Sequence, residues 1–146
     1  MKTYELLAHT ADFKIRAYGK DLKELFKNCL RGMFESLKPH SPNCKYVDDE
    51  MTCNKMDVSH EVEVTATELP FLLVQFLQEA LYLSDVNNEA YFDAKFDELT
   101  DTALKGKIFG VKITGFEVIE IKAVTYNDLE VKKVDDTWQA TVVFDI

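Results

Sequence analysis

Three carboxyl groups stand where hard-cation chemistry could arise. Asp12 lies in "AHTADFKIRAYG", residues 8–19, at the head of an alternating polar and apolar run. Asp145 and the α-carboxylate of Ile146 end the segment "WQATVVFDI". In that segment Trp138, Ala140, Val142, Phe144 and Ile146 share one face, and Gln139, Thr141, Val143 and Asp145 the other. This is a strand pattern that runs to the last residue. Two adjacent anions repel, which favours protonation or a counter-cation. If Asp12 meets this end, the three groups offer about six oxygens, a donor set suited to Ca²⁺ or Mg²⁺ without sulfur or imidazole. Spacing alone favours the plainer reading, a solvent-facing Asp145 and a loose terminus.

A second pair lies in "IEIKAVTYNDLEV". Lys122 and Tyr126 share a strand face, four residues apart. They read either as a solvated face with a cross-strand aromatic contact or as a cation and a phenol aimed at a partner or nucleotide. Familiar enzyme signatures are absent: there is no phosphate-cradling glycine loop, no G-x-S-x-G elbow and no H-E-x-x-H.

The elements that must position these groups follow from periodicity. Residues 3–8 and 13–18 read as strands, linked through His9–Asp12. In "KDLKELFKNCLRGMFESLKPH", apolar residues from Leu22 to Leu37 recur at spacings of three and four, which predicts a helix. Asp21 is its expected N-cap, Glu24 completes a capping-box pattern, and Pro39 and Pro42 stop it. Val58–Ala66 alternates as a strand, with His60 on the apolar phase as a structural histidine. "TELPFLLVQFLQEALYLSD" predicts a second helix, capped by Thr67 with Pro70 in its first turn. Residues 92–96 and 103–113 read as strands, the latter bent at Gly106 and Gly110. Residues 117–134 and 138–146 read as two long strands joined at "DDT". Residues 43–57 have no clear period, and "VDDE" reads as a solvated loop. The expected architecture is α+β: two amphipathic helices on a mostly antiparallel or mixed sheet, in a single domain over residues 1–146.

Composition narrows the function. The chain has 146 residues, enough for one core, and a formal net charge of −9. Such a chain does not grip a phosphate backbone over a broad surface. It can dock on a basic protein surface, collect divalent cations, or simply stay soluble. The apolar runs are too short to span a membrane, and the N-terminal residues lack a leader pattern, so a cytosolic location is expected. Cys29, Cys44 and Cys53 form no C-x-x-C pair, which argues against a disulfide framework or a zinc knuckle. Cys29 reads as core. Cys44 and Cys53 could approach each other across a hairpin, with no function expected of the pair.

The segments "HTADFKIRAYGKDLKELF", "IKAVTYNDLEV" and "ATVVFDI", with the helix "LPFLLVQFLQEALYLSD", resemble the archease family. The resemblance covers nearly the whole length. Two positions depart from the usual pattern. Phe13 and Lys14 follow Asp12, where a small pair such as Val-Gly is common. Asn127 follows Tyr126, where His is frequent. The resemblance implies a protein cofactor of an RtcB-type RNA ligase, not itself a ligase. Such a cofactor promotes guanylylation of the ligase from GTP and its multiple turnover in tRNA splicing and RNA repair. It implies a Ca²⁺ site, with Mg²⁺ or Mn²⁺ as alternatives, formed by Asp12, Asp145 and Ile146. His9 and Thr10 would hold the turn behind Asp12 or reach the partner. Lys122 and Tyr126 would contact the ligase, and RNA would be met only through it. Two rival readings remain. One is a metal-dependent phosphoester hydrolase, disfavoured because no general base or phosphate clamp is evident. The other is a chaperone-like interaction module without metal.

Overall fold

Segments of period two form strands, and segments spaced at three and four form helices. The fold is seen in a computed structural model that describes residues 2–7, 12–47, 50–117 and 121–146. In chain order the elements are β1 (Tyr4–Leu7), β2 (Asp12–Gly19), α1 (Leu22–Glu35), β3 (Pro39–His40), β4 (Cys44–Val47), β5 (Glu50–Cys53) and β6 (Val58–Thr65). Then follow α2 (Leu69–Asn87), β7 (Glu89–Leu99), β8 (Ala103–Lys112), β9 (Gly115–Phe116), β10 (Ala123–Val124), β11 (Glu130–Val134) and β12 (Thr137–Asp145).

Among the described residues every strand pair is antiparallel. The main sheet has five strands in the order β1-β2-β12-β10, with β11 also paired to β12. A second sheet has the order β6-β8-β7. Helix α1 packs against β2 and β7, bridging the two sheets, and α2 packs against β6, β7 and β10. One apolar cluster runs through all these elements, from Ile15 and Phe26 through Phe76 and Tyr91 to Phe144. The architecture is therefore the expected α+β domain, with two helices among the described residues.

Helix α1 begins as its sequence predicts. Asp21 Oδ1 accepts from the Glu24 amide at 2.8 Å. The reciprocal bond is displaced by one residue: Glu24 Oε1 accepts from the Lys20 amide, not from that of Asp21. Helix α2 differs from expectation. Its N-cap is Glu68 rather than Thr67, and no side chain caps it. Pro70 in the first turn has no amide to satisfy, which lessens the need for a cap. The helix ends at Asn88 in the left-handed conformation, φ 55°.

Three further points go beyond expectation. The β7–β8 register shifts beside Gly106 and Gly110, and both glycines also let β7 come close. A Cβ at Gly110 would sit 1.8 Å from the Ala90 carbonyl oxygen, and one at Gly106 2.3 Å from that of Lys95. The span 117–134 is not one strand. β10 and β11 pair with successive parts of β12, and the backbone breaks between them at Asp128, φ 52°. β4 and β5 pair with each other, with Cys44 and Cys53 joined in a disulfide, and residues 48–49 of the expected "VDDE" loop lie outside the described residues. The expected "DDT" turn is present: Asp135 and Asp136 both have positive φ and join Val134 to Thr137.

Candidate functional site

β2 and β12 lie side by side in the main sheet, and their register sets the site. Asp145 is directly opposite Asp12. Directly opposed residues of an antiparallel pair project from the same face, with Cβ atoms about 5 Å apart. Asp12 is thus the first residue of β2, not part of the turn before it, because it pairs with Asp145. Thr141 and Val143, earlier on that face of β12, are buried, so the face opens to solvent at Asp145. On its other side Asp145 faces Ala123 of β10, and its carbonyl accepts from the Lys122 amide at 2.7 Å. Ile146 follows at once, its side chain packed against the core. The chain end is anchored, and the α-carboxylate lies one residue from Asp145.

The donor chemistry fits a hard cation. Two opposed side-chain carboxylates bring like charges together on one face, which favours a counter-cation. The α-carboxylate of Ile146 is a further carboxyl group next in the chain to Asp145. Among the described residues no three His, Cys, Asp or Glu side chains gather at one point. Two cations share this face. Lys14 Nζ lies 3.4 Å from Asp128 Oδ2, and Arg16 Nε donates to Thr141 Oγ1 at 3.2 Å. His9 and Thr10 lie outside the described residues.

Lys122 and Tyr126 flank the short β10 on the side facing α2. Between them the Val124 amide donates to Gln78 Oε1 of α2 at 3.0 Å. Lys122 lines a cleft with Tyr82 and Asp85 of α2. Tyr126 lines a different cleft and stacks edge-on against Phe71, ring centroids 5.6 Å apart. The two residues are therefore separated along α2. Lys122 is at the end where Asp145 lies; Tyr126 is farther up the sheet. Tyr126 is 58% exposed.

Sequence reasoning missed a buried carboxylate with its own partners. Glu89, the first residue of β7, is 4% exposed. Its Oε1 lies 2.6 Å from His60 Nε2 and accepts from the Tyr91 hydroxyl at 2.8 Å. Its Oε2 lies 3.4 Å from Lys112 Nζ. Burial alone would raise the carboxyl's pKa; the hydrogen bonds from His60 and Tyr91 outweigh it and hold the group below its ordinary 4.5. The one available signal was the apolar phase of His60, which implies a buried partner.

Comparison with known proteins identifies the family and the fold. Residues 4–146 match the Archease protein family (MTH1598/TM1083). The chain is 37% identical to "Protein archease" of Methanosarcina barkeri, over 99% of this chain and 97% of that one. It is 32% identical to the Pyrococcus furiosus protein of the same name, with both chains fully covered. Among solved structures, the solution structure of Methanobacterium thermoautotrophicum protein 1598 superposes with a TM-score of 0.76 at 30% identity, covering 100% of both chains. The crystal structure of an archease from Thermotoga maritima, titled a possible chaperone, shares the fold with a TM-score of 0.61 at 21% identity, over 96% of this chain and 94% of that one. The chain belongs to the archease family.

Proposed function

We propose that this protein is a non-enzymatic activator of an RtcB-type, GTP-dependent RNA ligase. It promotes guanylylation of the ligase and multiple turnover in tRNA splicing and RNA repair. The observation that carries the reading is the register of β2 against β12, which sets Asp12 opposite Asp145 beside the anchored Ile146. In this reading Asp12, Asp145 and the Ile146 carboxylate hold a divalent cation, Ca²⁺ in the first instance, with Mg²⁺ or Mn²⁺ as alternatives. The bound ion supplies positive charge and open coordination positions toward the ligase's nucleotide pocket. The chain's own residues do the rest. Asp12 and Asp145 sit on strands of the main sheet, so their spacing is set before the partner arrives. Lys122 places a cation near the same end of the sheet, available to the ligase or to phosphate. Tyr126, held by Phe71, offers a rigid aromatic contact. The net charge of −9 favours a basic protein surface over RNA, so RNA is met only through the ligase. A cytoplasmic setting accords with this role, and no helix among the described residues is long and apolar enough to cross a membrane.

The test measures GTP-dependent guanylylation and turnover of the cognate ligase, with this protein in catalytic amount. Activation is expected with the native chain and is expected to fail with Asp12→Asn or Asp145→Asn. An unchanged ligase refutes the reading. A second reading, a chaperone-like interaction module, draws on the exposed Tyr82, Val86 and Tyr126 beside α2. It predicts instead that both variants remain fully active.

A further inference from the structure

The β4–β5 hairpin stands apart from the two larger sheets. Among the described residues its strands pair only with each other. A two-stranded hairpin is marginal in water and needs other ties. Its ties to the rest of the molecule are the Tyr46 hydroxyl, which donates to the Pro39 carbonyl at 2.9 Å, the buried Met51, and the partly buried Cys44, Tyr46 and Cys53 against the core. The Asn54 amide extends the hairpin ladder, donating to the Asn43 carbonyl at 2.9 Å. The covalent tie is the Cys44–Cys53 disulfide, whose residues are direct cross-strand partners, 4.0 Å apart at Cα.

The two cysteines are both partly buried but differ in surroundings. Cys53 lines a cleft of about 220 Å³ together with Met51, Met56, Phe92, Lys27 and Arg31; Cys44 does not. Both cations are already paired, Lys27 with Asp93 at 3.8 Å and Arg31 with Glu35, so the cleft carries no strong field. It is open to a thiol of either charge context. The third cysteine, Cys29, is fully buried, and burial pushes its thiol far above the ordinary range, which removes it as a competing nucleophile.

We propose that Cys44–Cys53 is a thiol–disulfide exchange site for a dithiol reductant, with Cys53 the sulfur attacked, and that reduction releases the β4–β5 hairpin. A thiolate of the reductant attacks Cys53 Sγ through the cleft. The Cys44–Cys53 bond breaks, and its electron pair leaves on Cys44, which takes a proton from water. The second thiol of the reductant then attacks its own sulfur in the mixed disulfide. Cys53 departs as a thiolate and is protonated in turn. The reductant ends as a disulfide, and the protein gains two electrons and two protons. With the covalent tie gone, the hairpin loosens and uncovers Met51 and Phe92. This site is independent of the Asp12–Asp145 reading.

The test alkylates the native protein with iodoacetamide before and after dithiothreitol, and reads mass and amide exchange. No alkyl groups are expected before reduction and two after, on Cys44 and Cys53, with Cys29 untouched. Exchange across residues 44–53 should accelerate about tenfold or more on reduction, while β12 is unchanged. With 5,5′-dithiobis(2-nitrobenzoate), Cys53 in a Cys44→Ser variant should react faster than Cys44 in a Cys53→Ser variant. The proposal is overturned if Cys44 and Cys53 stay as thiols after equilibration with oxidised glutathione. It is equally overturned if hairpin exchange is indifferent to reduction, or if the two reaction rates are reversed.

Discussion

Glu89 and Asp145 are both acids at the end of a strand, and their surroundings are opposite. Glu89 is buried and held by His60, Tyr91 and Lys112, which satisfy both of its oxygens from within the molecule. Asp145 is exposed and faces another carboxylate, Asp12, across the sheet. A buried carboxylate with its own donors fastens strands together. A like-charged pair at the surface costs a little stability and favours a counter-cation. The difference separates an acid that serves the fold from acids proposed to serve a ligand.

The largest expected effect tests the structural side. Glu89→Ala leaves His60 and Tyr91 without their acceptor and should cost about 3 kcal/mol in urea unfolding. Asp145→Asn should change stability by no more than about 0.5 kcal/mol. Equal losses at the two positions would break the contrast. Next comes the ligand side. Asp12→Asn or Asp145→Asn should weaken Ca²⁺ binding by titration calorimetry about tenfold or more, roughly 1.4 kcal/mol, while Glu89→Gln leaves it unchanged. One glycine appended after Ile146 should weaken binding similarly if the terminal carboxylate is a ligand; unchanged binding removes Ile146 from the site.

A third effect depends on pH. Glu89 titrates below its ordinary 4.5 in the folded protein, so the unfolded chain takes up its proton first as pH falls. Its contribution is complete above the unfolded-state pKa of about 4.3 and is lost as pH drops through the lower folded value. The stability gap between native protein and Glu89→Gln should therefore be constant near neutrality and narrow below about pH 4.3. A gap that widens on acidification would reverse the assignment. The smallest effect concerns the like-charged pair itself. Asp12→Asn, in chelator, should change stability by no more than about 0.5 kcal/mol, a larger loss showing that the pair serves the fold as Glu89 does.

What could be read from the residues was whatever repeats at short range. The apolar stripes of α1 and α2, the alternation of β6 and β12, and the Asp21 cap are local patterns, and the structure follows them. The misses come from contacts between distant residues. Glu89 carries no local mark of burial; its partner His60 lies 29 positions away. Gly106 and Gly110 signalled local irregularity, but nothing in β8 announces how closely β7 must pass. The 117–134 segment alternates well enough for one strand, yet β12 is paired by two, and a left-handed Asp128 interrupts them. The Cys44–Cys53 hairpin was legible as a possibility, but its strands are short and mixed in character, and an odd cysteine count argued against the disulfide that closes it. For the carboxylates, residue type suggested the chemistry, but only the β2–β12 register placed Asp12 against Asp145.

The position of β12 has a kinetic consequence. It is the last element in chain order, yet it sits between β2 on one side and β10 and β11 on the other. Its bonds to β2 join residues such as Arg16 and Thr141, 125 positions apart. The β7–β8 pair, by contrast, closes a short connection. Loop-closure entropy delays distant pairings, so we expect the β6-β8-β7 sheet to assemble first and the main sheet to close last. Refolding followed by pulsed hydrogen exchange should protect β7 and β8 before β12; simultaneous protection would refute this order. An early folding species would then hold much of the apolar core without having brought Asp12 and Asp145 together, and the capacity to bind a cation would mark the completion of folding.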